Sequence, residues 1–515
     1  MTLAFNTKKP VNYITAGILL VLCVVMVLVL KAQFKTMETK ETIYYGKNSN
    51  VTAVHRLSEW NENLTTTRNG AGDTLVYELT GEEEGDTLII FGGVHANEPA
   101  GVISATWLVE NLHPKAGKVL IMTHTNQAGY TCTDPQEGSP MFYTVDTDGD
   151  DTTTADQRQF RFGSRVSNPI YQWPDPDIYV HSSGMKLAGA ETRNLNRCYP
   201  GIKDGTLTEQ IAYALTEMVK DVDAAMVIDL HEASPEYKTI NTTVYHSRAE
   251  DVAGYAVSWN IPDDMVADSG KMGGDIAPES LRGLSHIELG TWTDTLALLM
   301  ETSNPSQGRE HGKTGTALVV TGTDKFYVRN QENVGLWDLT YGQDVLTEDK
   351  TELAEGVTEV DGNLYTDANG EEVDLRALEQ RVARHVTFIV ALADAYNEEI
   401  GAAKEAAAAA TTDDERAAIY EAYGLGYSTV PETNSEGETY KYYGQIIGDR
   451  RTGKLDLGIS LTGDDAEGFY TQIKEGVYEA LAPDDIVLNS DELWEMDADQ
   501  FPVSIVDGQV VPSNN

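Results

Sequence analysis

Three neighbouring segments restrict the fold more than any others in this chain. Thr87–Phe91 is a short aliphatic, β-rich run, and Pro99–Leu112 carries apolar residues at helical spacing with Pro near its start. Lys118–Thr125 is again rich in Val, Ile and Leu. Strand, helix, strand in that order makes a crossover unit, whose two strands lie parallel in one sheet. Thr74–Leu79 adds a β-rich piece before the acidic turn Gly81–Gly85, and Ala225–Leu230 and Leu296–Met300 read as further buried strands. Thr208–Val222 reads as an amphipathic helix, and Leu375–Tyr396 has strong helical periodicity. The expectation is an α/β fold with a twisted, mixed, largely parallel sheet flanked by helices.

A length of 515 residues allows two or three domains, and a hydrophobic fraction of 41% fits a globular chain. The expected organisation is an N-terminal apolar segment (1–32), a polar stalk (33–50), a main domain (51–404) and a small α+β appendage (405–515). The last boundary follows a composition change at the alanine-rich stretch Ala402–Ala410. A formal charge of −45 repels nucleic acid and anionic lipid headgroups, and no Lys/Arg stripe offsets it. Cys23, Cys132 and Cys198 cannot form a disulfide framework, and without a Cys-x-x-Cys pair there is no zinc ribbon.

Ile14–Leu30 contains no charge and follows Lys8-Lys9, the pattern of a signal anchor with its N-terminus in the cytoplasm. A cleaved secretory signal is the competing reading, and Leu28-Val29-Leu30-Lys31 is a poor cleavage site. Either reading puts residues 33–515 outside the cytoplasm. Between them Gln127–Ala190 is polar with little periodicity. It includes Asp146-Thr147-Asp148-Gly149-Asp150-Asp151, where glycine falls fourth rather than sixth and Gln157 stands twelfth in place of Glu. That departs from a calcium loop and is read as a solvated acidic loop.

Polar residues cluster where the apolar runs end. His95 and Glu98 lie three residues apart where a strand gives way to a helix, so both can face one point. With ten His and 82 Asp plus Glu such a pair arises easily by chance, and Glu98 could equally favour the positive end of the following helix. The pair gains meaning from its company. Asp229-Leu230-His231 closes one strand run and Glu301 another, with Arg193-Asn194-Leu195-Asn196-Arg197 in a loop. Two His and one carboxylate (His95, Glu98, His231) leave a fourth position for water on a single zinc ion. Glu301 can act as general base, Asn196 and Arg197 can grip a carboxylate, and Arg193 can face an oxyanion. Glu232 and Glu236 compete as ligand or base, and Asp229 can orient a ligand from behind.

His95-Ala-Asn-Glu98, the loop Arg193–Arg197 followed by Tyr199-Pro200-Gly201, and Asp229-Leu-His231 resemble the motif series of the succinylglutamate desuccinylase/aspartoacylase branch of the zinc carboxypeptidases. Gly92-Gly93-Val94 and the strand leading to Asn126 also fit, and the resemblance covers about residues 50–400. It implies zinc on His95, Glu98 and His231, Glu301 as base, Asn196 and Arg197 on the substrate carboxylate, and Arg193 at the scissile carbonyl. Thr302-Ser303-Asn304-Pro305 stands where a glycine-rich turn is expected after the base. The functional expectation is a membrane-tethered, extracytoplasmic zinc hydrolase cutting an amide beside a free carboxylate. Its substrate is either a peptide losing its C-terminal residue or an N-acyl amino acid. A catalytically silent peptide-binding module is the alternative of another class.

Overall fold

Alternation along the strands decides how the layers assemble. In the strand Glu83–Gly92, Leu88 and Ile90 join one buried cluster while Ile89 and Phe91 join another, as the two-residue period of a strand demands. The computed structural model describes residues 10–38, 41–133, 139–147, 157–234, 237, 239–259, 272–278, 280–308, 314–322, 358–361, 364–366, 372–373, 377–430, 442–461, 465–482, 503–506 and 509–512. The chain divides into a helical unit, Met1–Glu41, and a second unit, Thr42–Asn515. In the first, helix α1 (Pro10–Glu38) contains Tyr13–Ala32, 20 residues of mean hydropathy 2.9. That stretch is long and apolar enough to cross a membrane, a property shared with N-terminal signal sequences.

In the second unit the elements follow as β1 (Val51–Arg56), β2 (Leu75–Thr80), β3 (Glu83–Gly92), α2 (Pro99–Asn111), β4 (Ala116–Met122), β5 (Phe142–Asp146), β6 (Gln157–Arg161), β7 (Ile178–Val180), β8 (Lys186–Ala188), α3 (Leu207–Asp221), β9 (Met226–Ala233), β10 (Thr242–Tyr245), α4 (Glu250–Trp259), β11 (Gly273–Ile276), α5 (Ser285–Trp292), β12 (Leu296–Ser303), α6 (Thr316–Thr321), α7 (Leu378–Ala407), α8 (Asp413–Glu421), α9 (Ile447–Arg450) and α10 (Asp465–Ala480). Eight strands form one mixed sheet in the order β1-β2-β4-β3-β9-β12-β10-β11, with β4, β3, β9 and β12 mutually parallel. The expected mixed, largely parallel sheet with flanking helices is therefore present.

The same alternation holds in β9 and β12. Met226, Ile228, Leu230, Leu296, Leu298 and Met300 join the cluster built with α2 and α7, whereas Val227 and Ala297 join the one built with α3. Both strands run past the residues expected to close them. The parallel pairing continues through Glu301↔His231, Thr302↔Glu232 and Ser303↔Ala233, so His231 and Glu301 sit side by side within the sheet. Helix α2 lies close against β9 because residue 101 is glycine: a Cβ there would meet the Leu230 carbonyl oxygen at 2.6 Å.

Two departures from the sequence expectation have physical causes. The polar stretch after residue 127 forms two antiparallel hairpins, β5–β6 and β7–β8, too short for periodicity to reveal. The expected boundary at 404/405 falls inside α7, and Leu455, Leu457, Tyr470 and Val477 lie in the same buried cluster as Leu88 and Val386. Asp86, at the head of the core part of β3, fastens that later segment. It accepts from Tyr396 Oη at 2.8 Å, Thr452 Oγ1 at 2.8 Å and Gly453 N at 2.7 Å. Most of the acidic loop (148–156) lies outside the described residues.

One surface group makes stability depend on alkaline pH. His55 on β1 bonds Glu59 at 3.0 Å and lies 3.4 Å from Glu78, and these carboxylates outweigh burial and lift its pKa from 6.5 to about 9. A raised folded-state value stabilises fully below the unfolded pKa and is lost as pH rises through the folded one. His55→Gln should lower the urea midpoint at about pH 6 and leave it nearly unchanged at about pH 10. Equal shifts at both values would show that the imidazole charge is not what matters.

Candidate metal centre and active site

The turn between β3 and α2 delivers two of the expected ligands, and β9 the third. Gly93 permits the turn: its φ is +68°, and a Cβ would strike the Tyr130 hydroxyl at 2.2 Å. His95, Glu98 and His231 are all buried, and one candidate ligand atom from each lies within 4.8 Å of the other two. Glu98 bridges the imidazoles, with Oε1 2.7 Å from His95 Nδ1 and Oε2 2.8 Å from His231 Nδ1. Glu98 occupies the N-cap position of α2, yet its side chain caps no helical N–H. Its carboxylate instead bonds the two imidazoles and belongs to that cluster.

Both imidazoles are oriented from behind. His95 Nε2 lies 2.9 Å from Asn194 Oδ1, and His231 Nε2 lies 3.0 Å from Asp229 Oδ2. Neutral rings donating an N–H outward at each Nε2 would turn both Nδ1 lone pairs, 3.2 Å apart, toward a cation in the cluster. Asp229 also accepts from Ser285 Oγ at the start of α5. Burial would raise the Glu98 pKa, but His95 and His231 outweigh it and hold the carboxyl well below its ordinary value. Burial lowers His95. It also acts to lower His231, but the Asp229 and Glu98 carboxylates prevail and raise that group well above 6.5. One buried carboxylate, Glu98, set between two inward-facing imidazole nitrogens makes a donor set suited to a divalent cation.

Glu301 stands beside His231 in the strand register and on the same face of the sheet. The residue is partly exposed overall, but its Oε2 is buried without a hydrogen-bond partner among the described residues. Burial first, and the nearby Glu98 charge, raise its pKa to about 8 against the pull of His231. A bound dication would lower that value by direct attraction.

The loop expected to grip substrate is only partly available. Arg193 is committed elsewhere: Nε and Nη2 donate to Asp175 at 2.7 and 2.8 Å, and Nη1 donates to the Ser167 carbonyl at 2.8 Å. That engagement speaks against the oxyanion role expected of Arg193. Asn196 Oδ1 accepts from Ser285 N at 2.8 Å, which docks α5 on the site, while Nδ2 lies 3.5 Å from His231 Nε2. Arg197 donates to the Asn196 carbonyl at 2.6 Å and pairs loosely with Glu191 at 3.7 Å. Burial, then the neighbouring charge of Arg165, lowers its pKa.

Arg165 is a residue that the sequence reading missed. Its charge acts on His95, Arg197 and Glu301 alike, so it is a cation of this site. It is placed by backbone pairing beside His95, where Gly163 N donates to the Ala96 carbonyl at 2.9 Å. No local pattern marks it. Asn194 was within the motif but had no assigned task. Glu232 is resolved away from the cluster: it points to the opposite face and pairs with Arg381. Glu236 lies outside the described residues. The turn after Glu301 also has a physical account, since Gln307 Nε2 donates to Glu98 Oε1 at 3.2 Å and Asn304 Nδ2 to the Asn97 carbonyl at 3.1 Å.

Residues 182–277 match the model of the succinylglutamate desuccinylase/aspartoacylase catalytic domain family. Among solved structures the chain is similar to a succinylglutamate desuccinylase/aspartoacylase from Rhodobacter sphaeroides, with 16% identity, 47% of this chain and 56% of that chain covered, and a TM-score of 0.28. It is similar to a putative carboxypeptidase A from Shewanella denitrificans OS-217, with 12% identity, coverages of 51% and 58%, and a TM-score of 0.30. A metallo-carboxypeptidase from Burkholderia cenocepacia shows 11% identity, coverages of 45% and 52%, and a TM-score of 0.27. The chain thus spans a little over half the length of these structures. No curated protein matches it. The matched segment carries the Arg193–Arg197 loop and His231 in their expected order, so over residues 182–277 the chain is similar to the succinylglutamate desuccinylase/aspartoacylase catalytic domain family.

Proposed function

We propose that this chain is a membrane-tethered, extracytoplasmic zinc hydrolase that cleaves an amide bond beside a free carboxylate, acting on peptides as a carboxypeptidase. The observation that carries the reading is the buried His95–Glu98–His231 convergence next to a Glu301 oxygen that has no hydrogen-bond partner among the described residues. Tyr13–Ala32, preceded by Lys8 and Lys9, supports the tether and its orientation. His95, Glu98 and His231 would hold one zinc ion, which when bound polarises a carbonyl and makes water acidic enough to attack at neutral pH.

The chain's own residues supply the remaining steps. Glu301 takes a proton from the attacking water as its oxygen bonds to the carbonyl carbon. It then delivers that proton to the amide nitrogen as the C–N bond breaks. Arg165, whose charge acts on His95 and Glu301, offers positive charge for the developing oxyanion. Arg197 and the Asn196 amide hold the terminal carboxylate and fix which bond lies at the centre.

The family match favours a second substrate class, an N-acyl amino acid, which presents the same amide-plus-carboxylate chemistry. A panel of peptides and acyl amino acids with purified, zinc-assayed protein separates the two. Zinc without hydrolysis of any member would point instead to the silent binding module. Arg197→Ala should reduce kcat/KM roughly 10²-fold on substrates with a free carboxylate, the scale of about 3 kcal/mol for a lost charge-assisted contact. Amidated counterparts should change little. Equal losses on both would remove the clamp from the scheme.

A further inference from the structure

Behind the chemical face of the sheet lies a second polar layer that the reaction does not use. Glu232 and Thr302 pair across β9 and β12 and fall on the α2–α7 side, opposite His231 and Glu301. The Glu232 carboxylate accepts from Arg381 Nη1 and, at 2.8 Å, from Ala100 N at the start of α2. Arg381 is fully buried, and its other terminal nitrogen donates to the Val319 carbonyl. One turn further along α7, the equally buried His385 lies 3.3 Å from Ser104 Oγ and 3.5 Å from Thr302 Oγ1.

A buried ion pair adds little net stability, because desolvation offsets most of the attraction. Here its geometry is the informative part. Glu232 holds the helix N–H two residues beyond Glu98 through its side chain, and its own backbone N–H donates to Glu98 Oε2 at 3.1 Å. The carboxylate of Glu98, the helix that follows it and the strand that carries His231 are thus all anchored on one residue, itself clamped from α7. A metal-binding constellation tolerates only about 0.5 Å of displacement, so such an anchor sets affinity.

We propose that Glu232, clamped by Arg381 and flanked by His385, is a positioning residue that fixes where Glu98 and His231 point; this rests on the zinc reading above. The test uses the full chain and compares Glu232→Gln, Arg381→Met and the double variant, with Arg381→Lys as the charge-conserving rescue. Zinc affinity is read by competition with a chromogenic chelator, and folding by the thermal midpoint of the metal-free protein. Each single variant should bind zinc about 10–100-fold more weakly, the usual effect of losing an outer-shell partner. The double variant, with no uncompensated charge, should recover the midpoint of the unmodified chain but not its zinc affinity. Arg381→Lys should regain part of that affinity. The double variant also serves where a single variant fails to fold. Wild-type midpoint together with wild-type zinc affinity in the double variant would overturn the positioning role and leave a merely structural pair. An unmodified chain that takes up no zinc would instead overturn the metal reading beneath it.

Discussion

Replacing Glu301 with Gln is expected to leave fold and zinc content intact while lowering turnover by about 10²–10⁴-fold, the usual contribution of a positioned proton carrier. The amide has the shape of the carboxyl group but cannot accept the water proton or return it to the leaving nitrogen. The expectation rests on placement: Glu301 is paired in register with His231, and its Oε2 is buried with no other partner among the described residues. Of the described acids nearby, Glu98 bridges the two imidazoles and Glu232 faces the opposite layer. Steady-state kcat on the preferred substrate, alongside metal analysis of the same sample, checks this. Turnover within a few-fold of wild type would take the base role away from Glu301.

Removing His231 should have the other large effect. His231→Ala deletes one nitrogen of the donor set and leaves the buried Asp229 and Glu98 carboxylates without their shared imidazole. Zinc content should fall from one ion per chain to a trace, and hydrolysis should disappear with it. Stability gives a second readout. A ligand present at about 100 times its dissociation constant stabilises the folded state by roughly 2.7 kcal/mol. A chelator should therefore lower the melting temperature of the unmodified protein and leave that of His231→Ala unmoved. A chelator-insensitive wild type that still turns over substrate would exclude a metal at these residues.

The parts of the site legible in the sequence are those where local pattern and chemistry coincide. His95 and Glu98 sit at a strand-to-helix junction, and His231 and Glu301 interrupt apolar runs that are unmistakably strands. Their meeting depends only on β9 lying next to both β3 and β12, which a parallel sheet of crossover units makes natural. Arg165 was hidden because its position comes from backbone pairing to Ala96 in a stretch without periodicity. Arg381 and His385 were hidden for the opposite reason. On a helix with strong periodicity, charged residues read as a solvated stripe, yet both are fully buried in α7. The misjudged boundary after residue 404 has the same origin. A change in composition locates where a sequence becomes alanine-rich, but Leu455 and Leu457 return to the common core from beyond it.

Asp86 has a practical consequence for anyone shortening this protein to its motif-bearing part. An expression clone stopped at the alanine-rich stretch would strip that carboxylate of its Thr452 and Gly453 donors. It would also lay bare the flank of α7 that α10 normally shields through Tyr470, Ile473 and Val477. A sticky, poorly behaved product would then reflect the trimming, with no bearing on the chemistry at the opposite face of the sheet.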